Sequence, residues 1–71
     1  MPELPVVSGP EVVRALERLG FEQVSQRGSH CKLRRGDRTV IVPLHRELAK
    51  GTLASILRQA GITADELRAE L

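Results

Sequence analysis

The spacing of the apolar residues changes twice along this chain, and it limits the folds that the chain can adopt. Over residues 12–19, apolar side chains recur every three or four positions, as on one face of a helix. Over residues 21–42 they alternate or form β-branched runs, which is typical of strands. Helical spacing returns over residues 53–60. The pattern predicts an α+β protein in the order helix, three strands, helix.

The first helix has a clear start signal. Ser8 precedes Glu11 by three positions, which is the spacing of a capping box, and Pro10 occupies the first turn. We therefore expect this helix over about residues 9–19, with its end at Gly20.

The middle of the chain predicts a three-stranded antiparallel meander. The expected strands cover residues 21–26, 30–35 and 39–42. Turns at residues 27–29 and 36–37 join them, and Pro43 ends the third strand or places it at a sheet edge.

Alternation along the second strand separates basic from apolar side chains. His30, Lys32 and Arg34 share one face, whereas Cys31 and Leu33 share the other. Two amphipathic helices can cover one face of a three-stranded sheet and leave the second face in water. We therefore expect Cys31 and Leu33 in the core and the basic side chains on the open face.

The last third of the chain predicts a loop and two helices. Residues 44–50 are polar without a clear period and are expected to form the loop. Thr52 is the expected cap of the second helix, and Gly61 ends it. Thr63 and Glu66 repeat the capping-box spacing and predict a short, weakly amphipathic C-terminal helix.

The net charge of +2 is unevenly distributed along the chain. Residues 26–58 hold eight Lys and Arg residues against two acids, a net +6, whereas residues 1–25 and 59–71 each carry −2. A basic segment between acidic ends is typical of a protein with a polyanionic partner such as nucleic acid. The alternative is an ordinary solvated charged face.

The class of protein follows from length and composition. Its 71 residues suffice for one domain over 1–71, and its 41% apolar and 28% charged residues are those of a soluble globular protein. No apolar stretch is long enough for a membrane span, and Met1-Pro2-Glu3 begins with an acid rather than a basic segment, so we expect neither membrane insertion nor a secretory leader. The lone Cys31 cannot form an internal disulfide. A cytoplasmic location is expected.

Cleavage of RNA needs few protein groups, because the 2′-hydroxyl of the substrate can attack the adjacent phosphate. A histidine can transfer a proton near neutral pH, and nearby cations can hold the phosphate and offset developing charge. His30 is thus the candidate catalytic group, with Lys32 and Arg34 as phosphate contacts. Gly28 would allow close approach of the substrate, and Ser29 would bind a phosphate or orient the histidine.

Other interpretations of these residues exist. An isolated histidine at a strand start is more often an ordinary surface residue, and His45 has the same alternatives of loop residue or RNA contact. A nucleophilic pair of Cys31 and His30 is disfavoured, because adjacent strand residues point to opposite faces. Two histidines, one cysteine and scattered carboxylates lack the spacing of a metal site, so we expect no metal and no other cofactor.

Six segments between Val7 and Ile62 carry a family resemblance. They are Ser8-Gly9, Leu19-Gly20-Phe21, Arg27-Gly28-Ser29-His30, Val42-Pro43-Leu44-His45, Leu48-Ala49-Lys50-Gly51-Thr52-Leu53 and Ile56-Leu57-Arg58-Gln59-Ala60-Gly61-Ile62. In this single register the chain resembles the HicA toxin family.

The resemblance implies a fold like the double-stranded-RNA-binding domain. It also implies a ribonuclease toxin of a type II toxin–antitoxin system that cleaves messenger RNA without the ribosome and is neutralised by a HicB-type antitoxin. The family's catalytic histidine falls on His30. The expected substrate contacts around it are Arg27, Gly28, Ser29, Lys32 and Arg34. Family members often have a histidine or aromatic residue where Cys31 stands, a departure that concerns recognition rather than the reaction.

The alternative function is a non-catalytic RNA-binding module of the same fold. A third possibility, a DNA-binding or protein-binding adaptor, is disfavoured for two reasons. The chain has no helix-turn-helix pattern, and its basic residues cluster on expected strands rather than in one recognition helix.

Overall fold

The computed structural model describes residues 4–71, so the first three residues, on which the expectation of no secretory leader depends, lie outside it. The elements in chain order are α1 (Gly9–Arg18), β1 (Glu22–Arg27), β2 (His30–Arg35), β3 (Arg38–Pro43), α2 (Lys50–Ala60) and α3 (Ala64–Ala69). This order confirms the predicted α+β class and is consistent with a fold like the double-stranded-RNA-binding domain. None of these helices has the length and apolar character needed to cross a bilayer.

The start of α1 is the capping box that the sequence predicts. The Glu11 backbone N–H donates to Ser8 Oγ at 3.2 Å, and the Ser8 N–H donates to Glu11 Oε1 at 2.9 Å. These bonds pair backbone donors that have no partner within the helix. Val12 and Leu16, one helical turn apart, are fully buried, so α1 begins with its apolar face already turned toward the sheet.

Removal of this cap has a predictable cost. Ser8→Ala is expected to lower the free energy of unfolding by about 1 kcal/mol. Hydrogen bonds with Ser8 lower the pKa of Glu11 below its ordinary value. The bond with the Ser8 backbone has the larger effect and the bond with its side chain the smaller. The ionised Glu11 carboxylate therefore stabilises the fold above the pKa of an unfolded glutamate. This stabilisation is lost as the pH falls through the lowered pKa of Glu11 in the folded state.

Thermal unfolding of the natural chain and Ser8→Ala between pH 7 and pH 3 measures both effects. The variant should melt at lower temperature at pH 7 and show a slightly shallower acid dependence, because it loses the Ser8 side chain but keeps the backbone N–H that lowers the pKa of Glu11 most. Equal melting temperatures at pH 7 would contradict the role of the cap.

The sheet has the strand order β1-β2-β3, and both pairs are antiparallel. Cys31 and Leu33 on β2 face inward and are almost completely buried, as predicted. The helices cover this inner face, and their side chains join those of β2 and β3 in one hydrophobic cluster. The inner face therefore belongs to the core, and the outer face is left for solvent and ligands.

A β-bulge in β1 changes which of its side chains face outward. Gln23 pairs with Leu33, but the next paired residue is Ser25, opposite Lys32, so Val24 is the extra residue. Without the bulge, Ser25 would share the inner face with Cys31. The bulge therefore places Ser25 on the outer face of the sheet.

The start of α2 differs from the prediction. The helix begins at Lys50 with Ala49 as its N-cap, and no side chain caps it, so the assignment of Thr52 as the cap is wrong. Leu48 is buried, and its N–H donates to the Val7 carbonyl at 2.8 Å. This contact anchors the chain immediately before the helix, and α2 starts three residues earlier than a cap at Thr52 would place it.

The C-terminal helix α3 is present as predicted. Thr63 and Glu66 form a second capping box, with bonds of 2.8 and 3.1 Å. Leu67 is fully buried in the core, and Arg18 Nη1 donates to the Glu70 carbonyl at 2.9 Å. These contacts attach α3 to α1.

Candidate functional site

The register of the strands arranges the outer face in three rows. From β1 through β2 to β3 the rows are Arg27-His30-Pro43, Ser25-Lys32-Ile41 and Glu22-Arg34-Thr39. Neighbouring rows are about 7 Å apart, because they are two residues apart along β2 and β3. The first two rows therefore form one continuous surface around His30.

A shallow cleft of about 410 Å³ lies on this surface. We call it the sheet cleft; its lining residues are Ser25, Arg27, His30, Lys32 and Ile41. It combines an imidazole, two cations, a hydroxyl and an aliphatic side chain. Such a mixture suits an anionic ligand that also carries an apolar part.

The polar side chains of the sheet cleft are free to bind a ligand. Within residues 4–71, the side chains of Arg27, His30 and Lys32 make no hydrogen bond or ion pair. Other arginines of the basic segment are used by the fold instead. Arg35 donates to the Leu19 carbonyl at 2.6 Å and lies over a phenylalanine ring.

Arg34 is on the outer face, as predicted, but it is not part of the sheet cleft. It is four residues from His30 along β2, roughly 13 Å in an extended strand. It lines a separate depression near Gly36, and the acidic Glu22 stands opposite it on β1. The predicted trio of His30, Lys32 and Arg34 is therefore divided, and Arg27 takes the place of Arg34 beside the histidine.

Two residues of the sheet cleft were not predicted from the sequence. Ser25 reaches it only because of the bulge, which a single sequence does not reveal. Ile41 faces outward between the inward Val40 and Val42. Strict alternation within the run from Val40 to Val42 would have found it.

The turn before β2 consists of Gly28 and Ser29, since Arg27 already pairs with His30. Gly28 has a φ of 54°, in the left-handed region that favours glycine, and a Cβ there would meet nothing within 4 Å. The turn geometry thus accounts for this glycine, and its close approach to substrate stays a prediction. The Ser29 carbonyl accepts a 2.6 Å hydrogen bond from the Leu44 N–H.

Cys31 is unsuited to nucleophilic chemistry. Its side chain is 1% exposed on the inner face, and burial raises the pKa of its thiol. His30 lies on the opposite face. A nucleophilic pair of these two residues is therefore not formed, as expected from the alternation.

His45 lies outside the sheet cleft. It lines a second depression, of about 320 Å³, together with Ser8, Pro10 and Arg46 at the start of α1. The His45 carbonyl accepts a 2.8 Å hydrogen bond from the Gly9 N–H. Its backbone therefore has a structural role at the junction of α1 with the segment after β3.

Metal-binding groups do not converge in the part of the chain that the structure describes. No three His, Cys, Asp or Glu side chains in residues 4–71 lie close enough together to hold an ion.

Comparison with known protein families identifies the family of this chain. A family model described as the HicA toxin of bacterial toxin–antitoxin matches residues 9–62, which span α1 through α2 and the whole outer face of the sheet. No curated protein matches the chain in sequence. Because the matched region covers most of the chain, the chain belongs to the HicA toxin family of bacterial toxin–antitoxin systems.

Proposed function

We propose that this toxin is a ribonuclease that cleaves messenger RNA at the sheet cleft, with His30 as its catalytic group. The observation that carries the proposal is that the imidazole of His30 shares the sheet cleft with Arg27 and Lys32, and that none of these three side chains has a hydrogen-bond or ion-pair partner within residues 4–71. The net +6 over residues 26–58 supports a polyanionic substrate. The whole chain acts as one domain, in the cytoplasm where messenger RNA is found.

The reaction uses the nucleophile of the substrate itself. The 2′-oxygen of one nucleotide bonds to the adjacent phosphorus as the bond from phosphorus to the 5′-oxygen breaks. His30 takes the proton from the 2′-hydroxyl or gives a proton to the leaving 5′-oxygen, and Ser29 or water serves as the second proton-transfer partner, since His45 lies outside the sheet cleft. Arg27 and Lys32 offset the charge on the phosphate oxygens in the transition state. The products carry a 2′,3′-cyclic phosphate and a 5′-hydroxyl.

The proposed antitoxin is a HicB-type protein. The outer face is basic at the sheet cleft, and its cations have no partner in residues 4–71. An acidic surface placed there would exclude RNA and neutralise Arg27 and Lys32 together. Inhibition is therefore expected to result from occlusion of His30.

Cleavage of a defined RNA by the purified chain tests the proposal. Fragments with cyclic-phosphate and 5′-hydroxyl ends are expected, formed equally with and without EDTA. Addition of the antitoxin should stop the reaction, and growth arrest on expression should be relieved by co-expression of the antitoxin. RNA that is bound but left intact would instead support the non-catalytic RNA-binding module.

Charge removal should have unequal effects along β2. Lys32→Ala is expected to weaken RNA binding. It should also reduce the slope of log Kd against log salt concentration by about 1, the contribution of one phosphate contact. Arg34→Ala removes the same charge roughly 13 Å from His30 and should have the smaller effect on cleavage. Cleavage rates and binding at several salt concentrations give the comparison. A greater loss of cleavage in Arg34→Ala would contradict the sheet cleft as the reaction site.

A further inference from the structure

Ile41 gives the sheet cleft an apolar surface that phosphate binding alone does not require. Its side chain is 40% exposed, whereas its neighbours Val40 and Val42 are fully buried. It lies directly opposite Lys32. Apolar surface is thus exposed to water at the point where the cations of the sheet cleft meet.

The distance between Ile41 and His30 matches the scale of a nucleotide. His30 pairs with Pro43, and Lys32 pairs with Ile41, so Ile41 is a diagonal neighbour of His30. Such side chains are about 7–8 Å apart. A phosphate at His30 therefore leaves the base of an adjoining nucleotide within reach of Ile41.

A hydrogen-bond chain from α2 holds Ile41 in place. The Ile41 N–H donates to Gln59 Oε1 at 2.9 Å, and Gln59 Nε2 donates to Ser55 Oγ at 3.1 Å. These bonds pair a donor on the free edge of β3 and connect it to a helix. The position of Ile41 is therefore fixed before a ligand binds, which lowers the entropic cost of binding.

Stacking of a base on Phe, Tyr or Trp is not available in the sheet cleft. Phe21 is the sole aromatic residue of the chain, and it is buried beneath Arg35. With the His30 imidazole engaged at the phosphate, the base contacts an aliphatic side chain or a guanidinium plane. Ile41 and Arg27 supply these two groups within the sheet cleft.

We infer that the sheet cleft binds one nucleobase of the RNA against Ile41, with the Ser25 hydroxyl at the polar edge of the base and Arg27 and Lys32 on the flanking phosphates. This inference rests on the proposed function and extends it, because it makes Ile41 and Ser25 the residues that determine where the RNA is cut.

Binding of uncleavable oligonucleotides tests this inference. A 2′-O-methyl oligoribonucleotide lacks the attacking hydroxyl, and an abasic oligonucleotide of equal length keeps the phosphates without the bases. Ile41→Ala is expected to weaken binding of the first probe roughly fivefold to tenfold, by the loss of apolar contact, and to leave the second unchanged. Leu71→Ala is the matched control, since this aliphatic side chain is similarly exposed, at 47%, but lies outside the sheet cleft.

A second readout uses cleavable RNA. Ile41→Ala and Ser25→Ala should each change the distribution of cut sites, whereas Leu71→Ala should not. An Ile41→Ala protein that binds both probes as the natural chain does, or loses affinity equally for both, would overturn the inference. If the natural chain cuts no RNA, the proposed function fails. The inference about Ile41 is then still tested by whether Ile41→Ala loses affinity for the 2′-O-methyl probe but not for the abasic one.

Discussion

Replacement of His30 by alanine is expected to lower the rate of RNA cleavage about 10²- to 10⁴-fold, the usual contribution of a proton-transfer group. The imidazole shares the sheet cleft with Arg27 and Lys32, so the variant keeps both proposed phosphate-binding cations and loses only the group that transfers the proton. RNA binding should therefore change much less than the rate. Stability should be retained as well, since His30 is exposed and makes no side-chain hydrogen bond within residues 4–71.

Single-turnover cleavage assays and binding assays on the same RNA separate these effects. His45→Ala is the matched control, because it also removes an imidazole from the same end of the molecule but from outside the sheet cleft. It is expected to lose far less activity than His30→Ala. Unchanged cleavage by His30→Ala would remove His30 from the mechanism and point to another residue or to a contaminant.

Gly9→Ala is expected to be the most destabilising single methyl addition among the glycines that the structure describes. A Cβ at this position would lie 2.0 Å from the Pro43 carbonyl oxygen and 2.7 Å from Leu44 Cα. Both atoms belong to the backbone, so a side-chain rotation cannot relieve the overlap. Either α1 or the segment after β3 must move, and we expect a loss of about 3 kcal/mol in the free energy of unfolding.

Gly51→Ala provides the comparison. Gly51 lies in α2 with nothing within 4 Å of the added methyl group, and alanine is the better helix former. This variant should be neutral or more stable by up to about 1 kcal/mol, whereas Gly9→Ala should melt more than about 10 °C lower than the natural chain. Denaturant and thermal unfolding of the three proteins measure the difference. Equal stability of the two variants would contradict the close approach at Gly9.

Much of the fold could be predicted because its signals are local. The boxes at Ser8 and Thr63 are formed by residues three positions apart, so the sequence contains all of their parts. Alternation likewise predicted which side of β2 is buried, because successive side chains in a strand point to opposite faces. The position of His30 on the open face follows from the same rule.

The composition of the sheet cleft depended on pairing between distant residues. The bulge at Val24 places Ser25 opposite Lys32, and this register is a property of two strands rather than one. A shared strand face suggested that Arg34 joins His30, but an extended strand separates them by roughly 13 Å. Cross-strand pairing brings Arg27 beside His30 instead.

The sequence by itself determined the order of elements, the caps of α1 and α3, and the histidine on the open face, since each depends on residues close together in the chain. The tertiary structure alone decided which basic residues stabilise the fold and which are left to bind a ligand. Arg35 and Arg38 donate to carbonyl groups at the ends of helices, whereas the side chains of Arg27 and Lys32 have no such partner within residues 4–71. The reason is that unpaired carbonyls at a helix end attract a cation only when folding brings the two together.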